Sequence, residues 1–205
     1  GGEFRLDSGE TRIALPRLLK EPLSVQRLTS RVQWRQNPDD WFVQAQDIVL
    51  NARDGRVRGD FELRLPKDKT LSPVLKTRLD FHDGDGRHTA QYIPLILPDG
   101  LRAWIARAVV AGRVTHGHVL YHGAVRNFPF RDGKGRFEVR AHVKDGVLVY
   151  LPGWAPIRDI DAELFFSGTN MLITATHGRL RSLDVGRVAV AIDDFRAPEG
   201  AVITA

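Results

Sequence analysis

Val57-Arg58-Gly59-Asp60-Phe61-Glu62-Leu63-Arg64-Leu65 decides the fold. Its odd positions are apolar or glycine and its even positions are all charged, the period of two of a β-strand with one dry and one wet face. The pattern returns at Phe137, Val139, Ala141 and Val143 against Glu138, Arg140 and His142. It recurs at Ile160, Ala162, Leu164 and Phe166, and again at Met171, Ile173 and Ala175.

Outward from these runs, residues that tolerate positive φ sit at Asp54-Gly55, Asp83-Gly84-Asp85-Gly86, Asp132-Gly133, Asp145-Gly146 and Gly168, and predict turns between antiparallel strands. Weaker strands are expected at Phe4–Leu6, Thr11–Leu15, Val25–Trp34, Phe42–Leu50, Val74–His82, Val114–His122, Val147–Tyr150 and Val185–Ile192. Only one stretch changes period. Leu97, Leu101, Trp104, Ile105, Ala108 and Val109 share a helical face, with Asp99 as N-cap and Gly112 at the left-handed C′ position. The expected fold is mainly β: a long, curved antiparallel sheet, groove-like or taco-like, with one amphipathic α-helix around residues 98–111.

No linker, low-complexity tract or short repeat divides the 205 residues, so a single β-rich segment is expected. The start at Gly1-Gly2 and the strand-like ending Ala201-Val202-Ile203-Thr204-Ala205 suggest a piece of a longer protein. No apolar run is long enough to span a bilayer. Without cysteine there is neither a disulfide nor a thiolate metal site.

The net charge of +5 does not point to nucleic acid. The nearest basic cluster, Arg56, Arg58, Arg64, Lys67 and Lys69, is interrupted by Asp54, Asp60, Glu62 and Asp68, whereas a nucleic-acid surface gathers its cations into a stripe. His116, His118 and His122 share a strand face at a spacing that could meet one metal, but no specific fourth ligand accompanies them. Asp159, Asp161 and Glu163 could serve acid–base chemistry, as could Asp193 and Asp194. A simple wet face opposite Ile160, Ala162 and Leu164 explains the first three better. The turns at Gly84-Asp85-Gly86 and Gly133-Lys134-Gly135 precede no helix that could hold a phosphate, and no nucleophile motif is present. No catalytic residue, metal or cofactor is expected. Aromatics recur along the strands, and a sheet this long with one helix to cover it has apolar face to spare.

A family pattern emerges from Tyr92 to Ile173. It runs through Tyr92-Ile93-Pro94, Trp104-Ile105-Ala106-Arg107-Ala108, Gly112-Arg113-Val114, His118-Val119-Leu120-Tyr121-His122-Gly123 and Phe128-Pro129-Phe130. It continues through Gly135-Arg136-Phe137, Leu148-Val149-Tyr150, Gly153-Trp154-Ala155-Pro156-Ile157, Asp159-Ile160, Ala162-Glu163-Leu164 and Met171-Leu172-Ile173. This order of hydrophobic and glycine positions resembles the large AsmA-like envelope proteins of the YhdP type, related to the bridge-like lipid carriers. Ala155 departs from the pattern by separating Trp154 from Pro156. The resemblance implies a non-enzymatic segment of a long Gram-negative protein, anchored in the inner membrane and extending through the periplasm. That parent would carry phospholipid in an apolar β-groove towards the outer membrane, with flanking segments of the same chain and other envelope proteins as partners. The expected lipid-contacting floor is Phe61, Leu63, Leu79, Phe81, Phe137, Val139, Leu164, Phe166, Met171 and Ile173. The alternative is a structural or docking module with a closed core, whose strand edges pair with neighbours.

Overall fold

The computed structural model describes residues 1–16, 18–95, 97–194 and 202–204. Thirteen strands form one antiparallel sheet. They are β1 (Gly2–Ser8), β2 (Thr11–Ile13), β3 (Leu23–Gln36), β4 (Asp40–Ala52), β5 (Gly55–Pro66), β6 (Val74–Asp85), β7 (Val109–Ala124), β8 (Arg136–Leu148), β9 (Ile157–Ser167), β10 (Asn170–Leu180), β11 (Leu183–Val185), β12 (Val188–Ile192) and β13 (Val202–Thr204). The order across the sheet is β1-β3-β4-β5-β6-β7-β8-β9-β10-β12-β13, with β2 added to β3 and β11 to β10. The path begins at β1 and ends at β13, and no pairing joins the two, so the sheet is open rather than a barrel. Of the strand-like terminal pentapeptide, Ala201 and Ala205 lie outside the described residues, while Val202–Thr204 pairs with β12.

The helical period yields α2, Asp99–Ala108, preceded by the single turn α1, Thr89–Tyr92. Pro98 takes the N-cap position and Asp99 is the first helical residue, where its charge meets the positive end of the helix and pairs with Arg102. The helix ends at Ala108 rather than running on to Gly112. The amide of Val149 takes the Ala108 carbonyl at 2.9 Å, and the β-branched Val109 and Val110 begin the 16-residue β7. Gly112 serves instead a close passage of strands: its φ is 144°, and a Cβ there would come within 3.1 Å of the Gly146 Cα.

Two expected turns lie inside strands, one of them as a bulge. Asp145, at φ 53°, is the extra residue of a register shift between Val143 and Gly146, and β8 continues through it to Leu148. The expected Val147–Tyr150 strand is in part the tail of β8. Asp83, at φ 57°, sits inside β6 between the pairs His82–His116 and Gly84–Val114, in unbroken register with β7, so β6 extends to Asp85 and runs into the 3-10 turn Gly86–His88. Bulges need the same left-handed backbone as tight turns, and aspartate supplies it for both. The expected Val185–Ile192 strand is broken into β11 and β12 by Gly186-Arg187.

The sheet is one layer thick over most of its extent. Among the described residues only Leu19, Val25, Ala45, Ala108, Phe130 and Ala162 are buried apolar side chains, and no large side chain is fully buried. The chain exposes 13282 Å². A compact monomer of 23.0 kDa would expose about 9,600 Å² by the usual scaling of surface with mass. The excess is the signature of a sheet with an uncovered side.

Candidate functional site: an uncovered apolar sheet face

Residues directly opposite across a sheet point to the same side, so the register alone sorts the side chains. One row runs Phe61–Thr77–Tyr121–Phe137. The next runs Gly59–Leu79–Val119–Val139–Phe166–Met171–Ile192. The third runs Val57–Phe81–Gly117–Ala141–Leu164–Ile173–Val190. Leu63 lies one step towards the other strand end, between Val43 and Leu75. All ten residues singled out from the sequence thus fall on one face, each partly exposed and none buried.

The same register adds residues that alternation in single strands left unnamed. From β4 come Val43, Ala45, Ile48 and Leu50, and from β7 come Val119 and Tyr121. In β7 the signal was present at the odd positions Gly117, Val119, Tyr121 and Gly123, but two glycines weaken it and Leu120 on the opposite side blurs it. The rows from β4 to β12 cross eight strands, a dry width of about 34 Å at the usual interstrand spacing.

Large rings lie down on this face rather than standing up from it. Phe81 covers Gly117, where a Cβ would overlap the ring, and Trp34 covers Gly2 in the same way. Phe130 lies over Gly123 and Gly135. Beside it, Tyr121, Phe128 and Phe137 complete an aromatic cluster at one strand end, with ring centroids 5.2 Å apart for Tyr121–Phe130 and 5.3 Å for Phe128–Phe137. Apolar surroundings push the Tyr121 phenol pKa up.

The opposite face is a lattice of charges. Lys76 pairs with Glu62 and Arg136 with Glu138, and Arg56 and Arg179 hold Asp83 and Asp159. These guanidinium hydrogen bonds keep the carboxyls of Asp83, Glu138 and Asp159 below the ordinary carboxylate range. Even the apolar Phe165 on this side is covered, by the Arg140 guanidinium at 4.5 Å from its ring centre.

The candidate chemical groups do not converge. His116, His118 and His122 lie on the charged face, where His116 stacks on His142 at 5.4 Å and Thr115 Oγ1 lies within hydrogen-bonding distance of both rings. His142 Nε2 in turn meets Asp161 Oδ1 at 2.9 Å. Among the described residues no group of three or more His, Asp or Glu is arranged to hold a metal. Asp159 and Asp161 are engaged with Arg179 and His142, Glu163 faces His142 across the wet side, and Asp194 pairs with Arg131.

An open antiparallel sheet, charged on one side and apolar on the other, defines a class of protein by the dry surface it presents. The sequence profile of the YhdP protein family matches residues 1–205, and the chain belongs to that family. It is 20% identical over 179 residues to the intermembrane phospholipid transporter YhdP of Escherichia coli (strain K12), an alignment covering 87% of this chain and 14% of that protein. No solved structure matches the chain. None of its described helices is long and apolar enough to cross a membrane.

Proposed function

We propose that this chain is a segment of a longer envelope protein whose uncovered sheet face carries phospholipid acyl chains through the periplasm, between an inner membrane that anchors the parent and the outer membrane. The observation that carries the reading is the continuous apolar face from β4 to β12, over which the described residues lay no second layer. A lipid tail laid there removes apolar surface of both partners from water, at roughly 25 cal/mol per Å², while its headgroup stays wet. One acyl chain spans about 15 Å, half of a bilayer's hydrocarbon core, so a width of about 34 Å accepts it in more than one position. The floor is Phe61, Leu63, Leu79, Phe81, Phe137, Val139, Leu164, Phe166, Met171 and Ile173. No step of such transport requires a bond to be made or broken.

The alternative of a closed docking module needs a filled interior. The small buried set and the surface excess leave it without one. The name of the Escherichia coli relative, an intermembrane phospholipid transporter, supports the lipid reading and supplies its two-membrane setting.

The test is a charge on the floor. The chain purified under mild conditions should show bound phospholipid by native mass spectrometry. Phe137→Asp and Leu164→Glu, each verified as folded by circular dichroism, should lose most of it, and in the full-length parent they should block lipid passage. A folded charged-floor variant that retains all its lipid and full activity would overturn the reading.

A further inference from the structure

The apolar face has two rims, formed by the two sets of strand ends. At the rim beside the aromatic cluster, the β5–β6 loop and the β7–β8 loop are tied into one surface. The Val125 amide donates to the Pro73 carbonyl at 2.8 Å, and the Arg126 amide to Ser72 Oγ at 3.0 Å. These two loops carry Lys67, Lys69, Arg126, Arg131 and Lys134, all exposed.

Their two exposed carboxylates bond within their own turns. Asp68 accepts from the Thr70 amide and hydroxyl at 2.8 and 2.7 Å, and Asp132 accepts from the Lys134 amide at 3.1 Å, so each caps its own turn. Two of the five cations are held by carbonyls. Arg126 donates to the Thr70 and Lys69 carbonyls at 2.8 and 3.1 Å, and Lys67 to those of Asn37 and Pro38 at 2.7 Å each. A carbonyl positions a cation without neutralising it. Only Arg131, paired with Asp194, has a carboxylate partner among the five in the described residues.

The β7–β8 loop is itself two-sided. Phe128 and Phe130 descend onto the apolar face against Tyr121 and Phe137, while Arg126, Arg131 and Lys134 of the same loop stay in water. Five cations against the carboxylates of Asp68, Asp132 and Asp194 leave this rim with an excess of positive charge at the edge of a dry floor, the complement of an apolar tail with an anionic head.

We propose that the rim formed by the β5–β6 and β7–β8 loops binds the phosphate headgroup of an anionic phospholipid whose tails lie on the adjoining apolar face. This rests on the lipid-carrying reading above and adds a headgroup preference to it. Lys69 and Lys134 have no side-chain partner among the described residues, so reversing them leaves the fold's contacts intact.

The test incubates the chain with vesicles of equimolar dimyristoyl phosphatidylglycerol and dimyristoyl phosphatidylcholine and measures the two bound lipids by native mass spectrometry. The wild type should be enriched in phosphatidylglycerol. The Lys69→Glu/Lys134→Glu variant should lose that enrichment by about tenfold, with Lys69→Gln/Lys134→Gln intermediate and both melting as the wild type does. An unchanged ratio in the folded variants overturns the proposal. A wild type that takes up both lipids equally overturns the headgroup site alone, whereas one that takes up neither overturns the lipid-carrying reading beneath it. Tight binding of inorganic phosphate without any headgroup preference assigns the rim to a free anion and overturns the proposal too.

Discussion

Gly117 shows how a single position shapes this face. It lies between Phe81 and Ala141 in the third row, and the Phe81 ring occupies the space a Cβ would take. The ring therefore lies flat and the floor stays low. Gly117→Val supplies a side chain that β-strands favour, so propensity alone predicts a gain in stability. The overlap predicts the reverse, a loss of about 1–3 kcal/mol as the ring is driven upright. Urea unfolding of Gly117→Val, Phe81→Ala and the double variant separates the two effects. The expected result is partial coupling: removing the ring relieves its share of the clash, while the Arg140 carbonyl, 2.5 Å from where a Cβ would lie, still opposes the valine. Additive changes would mean that the ring and the glycine are independent.

At the scale of elements, the loop between β7 and β8 behaves as part of the apolar face rather than as a simple connection. Phe130 is 7% exposed although it sits in a loop, and its φ of 65° turns the ring back over Gly123 and Gly135. Phe130→Ala should cost about 3 kcal/mol, the usual penalty for a buried ring, and should release the loop. Thermal melting and hydrogen exchange at Tyr121–Gly123 provide the check, and a loss under about 1 kcal/mol would show that the ring is not a keystone of that strand end. The sequence made most strands legible, because β5, β8, β9 and β10 each keep one face dry over many residues. Their ends were less legible. Asp145-Gly146 and Asp83-Gly84 look like hairpin tips, yet the strands run through both, with a bulge at Asp145, since residue choice reports local φ and not whether the chain reverses there. The C-terminal end of α2 was hidden for a related reason. Ala108 and Val109 continue the helical period, but the Val149 amide, 41 residues away, takes the last carbonyl.

For the whole molecule, the decisive quantity is the surface left uncovered. A one-layer sheet of this size leaves its floor residues half exposed, an arrangement whose stability rises when an apolar partner is present. Lipid that binds the folded chain and not the unfolded one stabilises it by about 2.7 kcal/mol at a hundredfold excess over the dissociation constant. For a chain of this length that is about 5–10 °C in melting temperature. Stripping lipid with detergent and gel filtration should lower the melting temperature by that amount, and adding phospholipid back should restore it. A melting temperature indifferent to lipid would show that the floor is not occupied.

The ten expected floor residues came from alternation in separate strands, and the paired register brought them to a common face because a period of two fixes each strand's sides without reference to its neighbours. Val119 and Tyr121 were less visible, as the glycines flanking them break the apolar pattern that marks a dry side. The rim of lysines and arginines looked interrupted in sequence, since Asp68 stands between Lys67 and Lys69. Only the folded loops show that this carboxylate bonds to Thr70 of its own turn and that Arg126, Arg131 and Lys134 join the two lysines at one rim. The sequence by itself determined the β class, the alternation and the family pattern, all of which depend on neighbours within a few residues. Tertiary structure decided which strands pair, where a bulge replaces a turn, which rings lie on which glycines, and that none of the described residues forms a layer over the dry face. Those outcomes depend on contacts between residues far apart in the chain, which local periodicity does not record.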